Sequence, residues 1–111
     1  MAIARTVAAA VAARADLTVD QIEDVRLAMD EALSHVISVA AEGSTVACEL
    51  CADGGVVSAT IACAVPAADV PDPDPFSWMV LTALVSDVRV SINDGTIAMT
   101  WSLARESSVQ A

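Results

Sequence analysis

Lysine and tyrosine are absent from this 111-residue chain, and its five cationic side chains, all arginine, stand against fifteen acids. The net charge of −10 excludes a nucleic-acid-binding surface, because phosphate contacts need clustered Lys and Arg. A basic protein partner is the easier inference. No apolar run is long enough to span a membrane. Histidine occurs once, as His35, and cysteine three times, as Cys48, Cys51 and Cys63. With no second Cys-x-x-Cys pair and no further imidazole, a tetrahedral metal site cannot be completed, so no metal is expected. Cys48 and Cys51 stand three apart, which in a strand puts them on opposite faces. All three cysteines read as buried free thiols, and a reducing, cytoplasmic location follows.

What is present is apolar. Hydrophobic residues make up 56% of the chain, enough for one domain with a real core and too few residues for two. That domain is expected over residues 1–105, with 106–111 as a frayed tail. The run from Thr6 to Ala13 follows Arg5 and precedes Ala13-Arg14-Ala15, a loose mimic of a leader cleavage site. Ile3, Val7 and Val11 nevertheless recur at four-residue spacing, so residues 2–15 read as a packed amphipathic helix.

A second helix is expected from Val19 to about Ala41. Thr18 and Gln21 form a capping-box pattern, and Asp20, Glu23 and Asp24 sit where the helix dipole favours negative charge. Ile22, Val25, Met29, Ala32, Leu33, Val36 and Ala40 recur at helical spacing. Alternation over 46–65 around Asp53-Gly54-Gly55, and from Val88 to Leu103 around Asn93-Asp94-Gly95, predicts two hairpins. Pro66 to Pro75, with four prolines and three aspartates, reads as an extended loop. Residues 77–86 form a short helix in which Trp78, Leu81 and Val85 share one side, and Trp78 is assigned to the core. The fold class is therefore α/β, a two-layer sandwich of a mainly antiparallel sheet with helices on one face.

Glu31 and His35 lie one turn apart on the second helix. By themselves they fit a partly exposed pair on an ordinary amphipathic helix. In sequence context, Glu31-Ala32-x-x-His35 resembles the Glu-Ala-x-x-Asn box of GHKL (histidine-kinase-like) ATP-binding domains. Val80-Leu81-x-x-Leu84 followed by Asp87-Val88 resembles the late helix and strand of bacterial anti-sigma factors of the serine-kinase, or RsbW, type. The order and spacing of these motifs extend the resemblance from about Ile3 to Arg105.

The resemblance implies the same α/β sandwich, although such proteins usually begin with a strand and this chain starts at the helix. An empty sheet position beside the last hairpin is thus expected, and an unpaired edge favours a homodimer. It also implies that Glu31 is the catalytic or polarising carboxylate and that His35 stands where asparagine would hold the magnesium of ATP. Magnesium prefers oxygen ligands, so His35 is a poor substitute. Asp69 arrives late for the adenine-contacting aspartate, in a stretch without glycine. Phe76 replaces a glycine where phosphates would meet a helix N-terminus.

The reading is an anti-sigma factor that sequesters a sigma factor, is countered by an anti-anti-sigma partner, and carries a degenerate ATP site. The alternatives are an active ATP- and magnesium-dependent serine kinase acting on that partner, and a small-ligand sensor using the old pocket. Asp20, Glu23 and Asp24, with Asp72 and Asp74 of the loop, are the candidate partner-binding residues, because sigma-factor domains that bind promoter DNA present basic surfaces.

Overall fold

Thr18 opens the longest helix through the reciprocal box its spacing predicts. In the computed structural model, which describes residues 2–66 and 74–106, Thr18 Oγ1 accepts from Gln21 N at 3.1 Å and Gln21 Oε1 accepts from Thr18 N at 3.2 Å. These bonds satisfy N–H groups that a helix start otherwise leaves open. Gln21 reaches further: its Nε2 donates to Ala104 O at 2.8 Å and its Oε1 accepts from Glu106 N at 3.1 Å. The start of this helix, α2 (Val19–Val39), is thereby tied to the end of the last strand.

The preceding helix, α1 (Ala2–Arg14), ends in a tight reversal. Asp16 takes φ 61°, while Leu17 N donates to Ala12 O and Asp16 N to Ala13 O. That pair of bonds is the Schellman pattern, usually built on glycine and here on an aspartate, whose short polar side chain tolerates the left-handed region. Leu17 and Ala12 are both buried and supply the apolar contact that accompanies it.

After α2 come strands β1 (Ala47–Asp53) and β2 (Val56–Ala64), helix α3 (Pro75–Leu84), and strands β3 (Ser86–Asn93) and β4 (Thr96–Ala104). The strands form one sheet in the order β1-β2-β4-β3, antiparallel throughout. Both hairpins turn through two residues of positive φ: Gly54 and Gly55 at 60° and 80°, and Asp94 and Gly95 at 51° and 75°. This is the type I′ geometry that matches the twist of the flanking strands.

Val57, Ala59, Ile61 and Cys63 of β2 and Ile97, Met99 and Trp101 of β4 point to one side, into a core completed by Val25, Met29, Ala32 and Val36 of α2. All three helices pack on that side. Alternating residues of the central strands therefore face the opposite side of the sheet.

Three expectations need correction. Cys63 is buried, but Cys48 and Cys51 are exposed: Cys48 pairs with Ile61 on the helix side of β1, an edge strand the helices do not fully cover, whereas Cys51 pairs with Ser58 on the side facing away from them. Trp78 is only partly buried and lies outside the core cluster, so of its predicted trio only Leu81 and Val85 are buried. The short helix also begins two residues earlier than its pattern suggests. Asp74 caps it and Pro75 occupies its first turn, where a missing N–H costs nothing. Among the described residues β3 has β4 as its sole neighbour.

Candidate functional site

Sheet order places α1 over β1, α2 over the central strands and α3 over β3. Asp30 marks the α1 side of α2, since its carboxylate meets Arg5 Nε at 3.3 Å. Glu31 and His35 lie further round the helix, on the side towards α3. Both are partly buried. His35 Nε2 is shielded from solvent, and among the described residues it has no hydrogen-bond partner, Glu31 included.

Phe76 opens α3 and is 66% exposed, with Met79 one turn on at 59%; together they form an apolar patch at the start of that helix. Asp74, expected at a partner surface, has a structural task as well, since its carboxylate accepts from Phe76 N at 3.5 Å as the cap of α3. Asp69 and Asp72 lie outside the described residues.

As a cradle for Mg-ATP this arrangement fits badly. Magnesium favours several oxygen ligands in octahedral geometry, and the α2 site offers one carboxylate and an imidazole. Beyond β2, Val65 N is committed to Gly95 O at 2.9 Å, and residues 63–66 contain no glycine that would let backbone approach a ligand.

Asp20, Glu23 and Asp24 do cluster at the start of α2. Burial, and then repulsion from Asp20 and Glu23, pushes the Asp24 carboxyl above the ordinary aspartate range. Glu23 is held by Arg26 at 3.3 Å, but both groups are well exposed and such a pair contributes little. The cluster thus keeps most of its unbalanced negative charge.

One feature was not anticipated from the sequence. Ile3 and Val7 of α1, Leu33 and Ile37 of α2, and Cys48 and Leu50 of β1 line an apolar groove of about 400 Å³. The Cys48 thiol, on this groove wall, has its pKa raised by desolvation. The four-residue recurrence of Ile3 and Val7 predicts core packing, whereas Ile3 is 81% exposed and Val7 about half-exposed on the groove rim.

These features define a two-layer α/β domain with an acidic helix start and a carboxylate and imidazole side by side on its central helix. Over 97 residues the chain is 38% identical to the anti-sigma-F factor RsbW of Mycobacterium tuberculosis, in both strain CDC 1551 / Oshkosh and strain ATCC 25618 / H37Rv. The matched stretch is 86% of this chain and 56% of each relative, so the chain spans a little over half the length of the curated relatives it matches. No family model matches the sequence. The similarity agrees with the anti-sigma resemblance carried by residues 31–35 and 80–88.

Proposed function

We propose that this chain is an anti-sigma regulatory domain of the histidine-kinase-like class that acts in the cytoplasm by binding and sequestering a sigma factor. An anti-anti-sigma partner counters it, and the domain works as a homodimer. The 38% identity to an anti-sigma-F factor across most of the chain is the observation that carries this reading. The unbalanced acids at the start of α2 support it, because they suit a basic partner surface.

The nucleotide site is degenerate in this reading, and the domain acts as a binder. His35 replaces the magnesium-holding asparagine, the stretch after β2 lacks glycine, and Phe76 stands at the start of α3. Retained Glu31 is the one feature favouring the alternative, a serine kinase in which this carboxylate polarises the attacking hydroxyl.

Two titrations test the proposal separately. Calorimetry with Mg-ATP is expected to show no binding at micromolar concentrations, and a Kd of about 10 μM or below would restore the kinase reading. Titration against a panel of purified sigma factors is expected to find at least one bound with a Kd below about 1 μM. Failure across the panel would remove the anti-sigma role whatever the nucleotide result.

A further inference from the structure

The sheet surface that faces away from the helices has an unusual composition. On the two central strands it presents Val56, Ser58, Thr60, Ala62 and Ala64 from β2, and Thr96, Ala98, Thr100, Ser102 and Ala104 from β4. None of these side chains is longer than valine. Longer side chains stand only on the flanking strands, and two of them share one row. Glu49 pairs with Thr60, Thr60 with Thr100, and Thr100 with Arg89, so a single line across the sheet reads acid, hydroxyl, hydroxyl, base.

Glu49 and Arg89 are three strand spacings apart, roughly 14 Å, too far to pair within one chain. Three arginines are spent on Asp30, Glu23 and Asp16. Arg89 has no ion-pair or hydrogen-bond partner among the described residues, despite a chain with fifteen acids. Asp87, its neighbour at the bulge, instead accepts from Ser102 Oγ at 3.2 Å.

We infer that this face packs against the same face of a second copy, about a two-fold axis running parallel to the strands between β2 and β4. That rotation carries each edge of the sheet to a position opposite the other. Glu49 of one copy then meets Arg89 of its partner, and the reverse, while the Thr60–Thr100 rows stack on each other. Facing sheets normally lie about 10 Å apart, a gap the long edge side chains can bridge while the small central ones fill it.

A face of four strands about eight residues long covers roughly 500 Å². Two copies would bury on the order of 1,000 Å², the lower limit for a specific contact, so a concentration-dependent dimer is expected. Edge pairing through β3 is less suited. The ladder breaks between Ser86 and Arg89, where Asp87 takes φ 55°, and bulges are a device that discourages strand addition.

This inference rests on the homodimer within the proposed function and is independent of sigma-factor binding. Sedimentation equilibrium of the full chain, from about 5 μM to 0.5 mM, tests it. The parent should dimerise. Glu49→Arg and Arg89→Glu should each weaken the dimer by about tenfold or more, because each sets like charges face to face. The double variant E49R/R89E should return to within about threefold of the parent, since the pair is rebuilt with its polarity reversed. Thr60→Arg, on a central strand remote from both edges, should abolish dimerisation while circular dichroism and melting show the fold retained. A monomer at every concentration would overturn both this inference and the homodimer. A dimer that survives Thr60→Arg, or single swaps without effect, would overturn the face and leave edge pairing or the groove beside α1. No recovery in the double variant would overturn the Glu49–Arg89 pairing.

Discussion

Trp101 is 2% exposed, yet its indole Nε1 finds no partner within the described protein. Leaving a buried donor unmade costs about 1–3 kcal/mol. Trp101→Phe removes that donor together with part of the packed surface, so the two effects offset and a net change below about 1 kcal/mol is expected. Met29, fully buried in the same cluster, carries no such donor, and Met29→Ala is expected to cost about 2–5 kcal/mol. Urea melts of the two variants compare them directly. A loss at Trp101→Phe matching that at Met29→Ala would mean that water satisfies the indole.

Asp24 makes a prediction in pH. Its folded pKa is raised by burial and by Asp20 and Glu23, so between the unfolded and folded values the native state binds more protons than the unfolded one. Stability therefore falls as pH rises through that window and stays lower above it. Asp24→Asn should raise the melting temperature at pH 7. The difference should vanish below the unfolded carboxyl value near about 3.9, where Asp24 is neutral in both states. A gain that persists unchanged into acid would trace it to something other than charge.

At the scale of elements, the second hairpin depends on its turn. Gly95 holds φ 75°, and a Cβ placed there would meet nothing within 4 Å. Gly95→Val is thus expected to cost about 1–3 kcal/mol through backbone strain alone, with no contribution from a clash. An unchanged thermal melt would contradict the turn geometry. This hairpin was legible because alternation and Asn-Asp-Gly point to one register. The left-handed conformation of Asp16 and Asp87 was not, since aspartate tolerates that region without requiring it. At Asp16 the C-terminal bonds of α1 select it, and at Asp87 the bulge against β4 does.

For the whole molecule, the proposed association with a sigma factor is expected to depend on charge. The acids at the start of α2 should steer a basic partner, and rim charges act mainly on the association rate. Replacing Asp20, Glu23 and Asp24 together by the corresponding amides is expected to slow association with a cognate sigma factor several-fold at low salt. Near about 0.15 M ionic strength, where the screening length is roughly 8 Å, the difference should largely disappear. Stopped-flow measurements at both salt levels check this, and an equal low-salt rate would assign recognition to another surface, such as the exposed Phe76 and Met79.

By itself the sequence determined the order of helices and strands, both hairpins, the capping box and the excess of negative charge. These follow from local periodicity, short-range hydrogen bonding and composition, which act within a few residues. It also held the resemblance to an anti-sigma factor, in agreement with the 38% identity over 97 residues to the relative of that name. Tertiary structure alone decided which strands lie at the edges, and so why Cys48 is exposed while Cys63 is buried, although both sit in phase with the apolar alternation of their strands. It likewise decided that Gln21 ties the start of α2 to the end of β4, and that Glu49 and Arg89, forty residues apart, share one row. Edge position and cross-sheet register depend on how distant segments pair, and the free energy that selects the pairing comes from burying the shared core.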